Sequence, residues 1–165
     1  MLDAKIEAAL NDHLQHELAS AYLYLAMAAH FEAANLPGSA RWMRTQAGEE
    51  AAHAMKVFDY LADRDGRITL QAIAQPPAQF ANTEDVWKQA LANEQKVTGV
   101  IGALYAAAQK AGDHATAAML QWFVTEQVEE EKTVRTILEQ VQQIGQLSSA
   151  MFFLDRHLGK EAEKG

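Results

Sequence analysis

The chain contains no cysteine. That absence removes disulfides, iron–sulfur clusters and cysteine-type zinc sites together, and it fits a reducing cytosol, so a cytoplasmic location is expected. Basic residues are in deficit: 14 Lys and Arg face 22 Asp and Glu, for a net charge of -8. An acidic surface is a poor partner for nucleic acid and a good one for cations. Long apolar runs are also missing. The longest, Leu18 to Ala29, is broken by Ser20, flanked by Glu17 and His30, and too short to span a bilayer, so no membrane partner is expected. Met1 to Glu7 lacks the basic-then-apolar layout of a signal peptide. What the chain does have is apolar content, 49% of 165 residues, enough for a single domain over 1–165 with a core of its own.

The apolar positions recur with a helical period in four long stretches. The first begins near Asp3, a good N-cap, and carries Ile6, Leu10, Leu14, Glu17, Ala21, Tyr24, Ala28 and Phe31 on one face. Asn35-Leu36-Pro37-Gly38 ends it as a turn. Ser39 is the expected cap of a second helix, with Met43, Ala47, Glu50, Ala54, Val57 and Leu61 on its face and a stop at Asp65-Gly66. A connection from Arg67 to about Asn82 follows and holds Pro76-Pro77. Extended, its roughly sixteen residues reach about 50 Å, more than the about 40 Å of the helix before it. It can cross the whole bundle, which predicts a third helix parallel to the second. That helix starts at Thr83-Glu84-Asp85 and carries Trp87, Leu91, Glu94, Val97, Ile101, Leu104 and Ala108. Gly112-Asp113 ends it and caps a fourth, with Leu120, Val124, Gln127, Glu130, Val134, Ile137 or Leu138, and Val141. Gly145 closes the fourth. Ser148 or Ser149 opens a short fifth with Met151, Phe152, Leu154 and Leu158, and Lys160 to Gly165 reads as a frayed tail. The fold class is therefore all-α, a four-helix bundle with a long crossover and a short C-terminal helix.

Each long helix carries a carboxylate or amide midway along its apolar face. One such Glu is ordinarily an edge residue or half of a buried ion pair. Four at matched depth are different, because the same stripes hold no Arg or Lys, and His53 is the one basic group among them. Glu17, Glu50, Glu94 and Glu130 would face one another, and like charges at that range stay ionised only around a cation. Glu50 and His53 form Glu-x-x-His, one turn apart on one face. Carboxylates with one imidazole and no sulfur suit iron or manganese, with zinc as an intruder, and there are oxygens enough to bridge two ions.

Ferritin-like di-iron bundles take one Glu from each of two helices and Glu-x-x-His from the other two. Here Glu17 and Glu94 are the single glutamates and Glu50 with His53 is one Glu-x-x-His, whereas Gln127-Val128-Glu129-Glu130 stands in place of the second. The chain resembles a bacterial non-haem ferritin along essentially its whole length, most specifically in Gly48-Glu49-Glu50-Ala51-Ala52-His53 and in Trp122 to Glu131. The missing second Glu-x-x-His is typical of that branch. Ala51 stands where bacterioferritin has a haem-ligating Met, so no haem is expected, and the lack of cysteine counts against rubrerythrin. The resemblance implies a ferroxidase centre in which Glu17, Glu50 and His53 hold one iron and Glu50, Glu94 and Glu130 the other, with Gln127 close by. It also implies a third, inward-facing iron position at Glu49, Glu126, Glu129 and Glu130, for which an ordinary solvated acidic face is the alternative. Tyr24 and Trp122 match aromatics that in the family lie near the centre, where the resemblance implies that they supply electrons, and both are equally explicable as core residues. Oxidation of Fe(II) by oxygen or peroxide and mineral storage inside a shell of 24 subunits are the implied function, with the fifth helix at the four-fold axes. A di-metal oxidase or oxygenase acting on an organic substrate, a haem-binding variant and a partner-binding helical module are the alternatives. His13, His16, His30, His114 and His157 read as surface or internally satisfied residues. Met27, Met43, Met55, Met119 and Met151 read as core or interface filler.

Overall fold

A computed structural model describes residues 2–145 and 148–163. Among them five helices and no strand are found: α1 (Ala4–Ala33), α2 (Pro37–Asp63), α3 (Thr83–Ala111), α4 (His114–Ile144) and α5 (Ser148–Glu161). The cross-helix contacts give the topology. Glu32 meets Arg44 while Glu17 meets His53, so α1 and α2 are antiparallel. Ser20 meets Asn93 while Phe31 meets Trp87, so α1 and α3 are antiparallel. His53 meets Phe123 while Arg64 meets Asp113, and Glu84 meets Gln142 while Tyr105 meets Gln121, so α4 runs against both α2 and α3. Helices α2 and α3 are therefore parallel, and the connection between them is the expected crossover.

That crossover is strapped along α1. Asn11 donates to the Arg67 carbonyl at 2.9 Å and accepts from the Thr69 amide at 2.7 Å, so a buried amide side chain stands in for a strand partner. Glu7 accepts from the Arg67 amide, Asp12 from Gln71, and Phe80 reaches His30 at the far end of the same helix.

The helix boundaries follow local chemistry, with three departures from expectation. Asp3 caps α1 by accepting from the Lys5 and Ile6 amides, and Asp113 caps α4 by accepting from the Thr116 amide, both as expected. Helix α2, however, begins at Pro37, so Ser39 lies inside the first turn rather than capping it. The cap comes from a distance: Asp155 of α5 accepts from the Gly38 amide at 3.0 Å and from the Ser39 amide and hydroxyl at 2.7 and 2.8 Å. At its other end α2 stops at Asp63, before the expected Asp65-Gly66, and Asp65 takes the left-handed turn conformation at φ 53°. The third departure is the tail. Lys160 and Glu161 are helical because α5 is docked through buried Leu154 and Leu158, while Lys164 and Gly165 lie outside the described residues.

The core is split in two. One apolar cluster gathers Tyr24, Phe31, Trp42, Met43, Trp87 and Val134, and the other Leu10, Leu14, Val57, Leu61, Ile101 and Phe123. Between them, on all four long helices, lies the layer of buried polar residues. Of the methionines, Met27 and Met43 are in the core, and Met55 is exposed in the single subunit.

Candidate metal centre

Glu17 on α1, Glu50 and His53 on α2, Glu94 on α3, and Gln127 and Glu130 on α4 are all buried, none more than 8% exposed. Helical spacing explains the placement. Each sits one or two turns from core residues on the same face, so the packing that buries Leu14, Ala54, Val97 and Val134 buries the polar residue between. No Lys or Arg is among the buried residues of the described chain.

The ligand atoms of Glu17, Glu50 and His53 lie within 4.8 Å of one another, and so do those of His53, Glu126 and Glu130. Nδ1 of His53 is 3.7 Å from Glu50 Oε2 and 3.9 Å from Glu17 Oε2. Glu94 is held from two sides: Tyr24 donates its hydroxyl to Oε1 at 2.5 Å, and the Gln127 amide donates to Oε2 at 3.3 Å and to the Glu94 carbonyl at 3.2 Å. Tyr24 thus touches the centre directly. Trp122 is 38% exposed and meets the His53 ring edge-on at 5.2 Å, with the Lys56 ammonium 4.1 Å from its own ring centre.

The electrostatics follow from burial without counter-charge. Desolvation, reinforced by contact with Glu17, pushes the Glu50 carboxyl up to about 7. Burial and then the field of Glu50 push Glu94 up to about 7 as well. Burial and the fields of Glu94, Glu50 and Glu49 push Glu130 up to about 8. Glu17 is raised chiefly by burial, and the Tyr24 phenol is raised by burial and the Glu94 charge. Burial alone would discharge His53, but its contacts with Glu50, Glu17 and Glu130 outweigh that and raise it to about 9. Four carboxylates raised by burial, three of them to about 7 or 8, beside an imidazole that would rather be charged, form a site short of positive charge.

The family model of the ferritin-like domain matches residues 7–144. The chain belongs to the ferritin family. Bacterial non-haem ferritins of Staphylococcus haemolyticus and Staphylococcus aureus are 37% and 35% identical to it, each over 96% of this chain and 95% and 96% of theirs. An open-pore ferritin of the hyperthermophilic archaeon Archaeoglobus fulgidus superposes with a TM-score of 0.95 at 40% identity, covering 96% of this chain and 98% of that one. A form of the same archaeal ferritin engineered to be closed gives 0.94, again at 40% identity.

As a ferritin, the chain adds detail to the sequence reading at two places. The four acidic residues expected at a third position do not all converge. Glu126 and Glu130 come together with His53, while Glu129 is exposed and Glu49 is half-buried, taken up by a hydrogen bond from Gln46. Glu129 follows the outward register of α4 beside Val128, which is 68% exposed. The second is His13, read from sequence as a surface or internally satisfied residue, which the structure places inside. It is fully buried, with Nε2 2.5 Å from Glu17 Oε1, and burial followed by the charge of His53 lowers it to about 4. The signal was available: His13 and Glu17 are one turn apart, so a residue four before a buried glutamate shares its face. His53 is therefore not the only basic side chain in the core. His114 and His157 are exposed and His16 and His30 half-buried.

Proposed function

We propose that this ferritin is an iron-storage ferroxidase built as one domain over 1–165. Family membership supports iron storage; the finer reading rests on the buried carboxylate layer. One Fe(II) substrate ion is taken by Glu17, Glu50 and His53, whose ligand atoms converge. A second is taken by Glu50, Glu94 and Glu130, which act on one another through their charges although Glu94 is in neither converging group, with Gln127 and Tyr24 bonded to Glu94. Each ion gives up one electron, with oxygen or peroxide as acceptor. A third iron position draws on Glu126 and Glu130, with Glu49 and Glu129 as outlying carboxylates. The ferric product is stored as oxide-hydroxide mineral inside a homo-oligomeric cage of 24 copies, without haem, in the cytoplasm.

The observation that carries this reading is a buried layer with one glutamate from each long helix, Glu17, Glu50, Glu94 and Glu130, coupled through their charges and without Lys or Arg. Cage assembly fits the exposed aromatic pair Phe152 and Phe153 on α5, at 57% and 71% exposure. No helix is long and apolar enough to cross a membrane among the described residues. The test is Fe(II) added in air, with Fe(III) absorbance followed for wild type, Glu50→Ala and His53→Ala. Both variants should lose more than the roughly 10–100-fold typical of removing a ligand's hydrogen-bond partner. Rates equal to wild type would refute the catalytic centre.

A further inference from the structure

Glu17 has two oxygens in different surroundings. Oε1 is bonded by His13 Nε2 at 2.5 Å. Oε2 is buried without a hydrogen-bond partner and lies 3.9 Å from His53 Nδ1, on the side of the Glu17–Glu50–His53 group. We propose that His13 is a positioning residue for iron binding: its Nε2–H fixes Oε1 of Glu17 and so leaves Oε2 as the oxygen that takes the metal. The inference rests on the ferroxidase reading and assigns a role to a residue outside the ligand set.

The geometry restricts the alternatives. A carboxylate that takes a metal is ionised and only accepts, so in the metal-binding state the hydrogen in this bond belongs to His13, whatever the state of its other nitrogen. His13 is 0% exposed, and Phe123 packs edge-on to its ring at 4.7 Å, so the ring is held by the core on one side and by Glu17 on the other. It is absent from both groups of converging ligand atoms found among the described residues. A histidine kept only for packing would bury two ring nitrogens at a cost that an apolar side chain avoids, and Nδ1 does go without a partner. What the position gains is a rigid donor to a ligand that must present one oxygen in one direction.

The test is anaerobic Fe(II) titration of the assembled protein, in wild type, His13→Leu, His13→Gln and Glu50→Ala. Glutamine places an amide donor at similar reach. His13→Leu should weaken the tightest Fe(II) binding by about 10–100-fold, and His13→Gln should restore most of it. Normal binding by His13→Leu beside a defective Glu50→Ala would overturn the positioning role alone. Equal losses in His13→Leu and His13→Gln would overturn it too, by showing that ring shape and not the donated hydrogen matters. Normal binding by Glu50→Ala would instead sink the ferroxidase reading and this inference with it. Should His13→Leu not fold, a Zn(II)-soaked crystal of the wild type decides. Metal on Glu17 Oε2 with Oε1 still on His13 supports the proposal; metal on Oε1 with that bond broken overturns it.

Discussion

Tyr24 on α1 donates its hydroxyl to Glu94 on α3 across 2.5 Å, at the boundary between the polar layer and one of the two apolar clusters. This bond joins two antiparallel helices and holds one candidate ligand still. Tyr24→Phe removes it without changing the packed ring. Leaving a buried acceptor without its donor costs about 1–3 kcal/mol, so the melting temperature should fall. Glu94, already at about 7, should move higher because the Tyr24 bond favours its charged form. Iron oxidation at neutral pH should slow by roughly 10-fold, as for other partners of metal ligands. Calorimetry and stopped-flow absorbance check the two parts separately.

Iron binding should release protons. With Glu50 and Glu94 at about 7 and Glu130 at about 8, part of the carboxylate set is protonated at neutral pH, and a cation displaces those protons. Anaerobic Fe(II) addition at pH 7 in weak buffer should therefore acidify the solution, and Glu130→Gln should release fewer protons. A pH-stat reads this directly.

Stability of the metal-free protein should run in the unusual direction for carboxylates. Their folded values lie above the ordinary 4.5, so the proton favours the folded state. The stabilisation is fully present below about 4.5 and is lost as pH rises through about 7 to 8. His53, raised from 6.5 to about 9, adds in the same sense at higher pH. The melting temperature in chelator should fall between pH 6 and about 8.5, more steeply in wild type than in Glu130→Gln. A rise across that window would contradict the electrostatic account.

Gly38 and Asp155 fasten α5 to the start of α2. A Cβ at Gly38 would lie 1.8 Å from the Asp155 carbonyl oxygen, so Gly38→Ala forces the helices apart, and Asp155→Ala strips three hydrogen bonds from the first turn of α2. Each should cost about 1–3 kcal/mol. Limited proteolysis should cut α5 in both variants before the four long helices.

The four long helices and the crossover were legible because burial has a period. Glu17, Glu50, Glu94 and Glu130 stood out as charges on apolar stripes, and each is buried where the period puts it. What the stripes hid were contacts between elements. Asp155 as the cap of α2 pairs residues more than a hundred positions apart, and the short cap signal at Ser39 was the nearer explanation. His13 stood outside the apolar stripe read for the first helix and could be surface or internally satisfied, yet it shares the buried face of Leu10, Leu14 and Glu17. At Glu126 and Glu129 one turn of separation marked a shared face, but which of them converges with Glu130 depends on how α4 is rotated against α2.

The most direct measurement is anomalous scattering at the iron edge from crystals soaked anaerobically with Fe(II). The account predicts two iron peaks in the buried layer, one against Glu17, Glu50 and His53 and one against Glu50, Glu94 and Glu130. Iron found only on the surface, with those side chains paired among themselves, would contradict it.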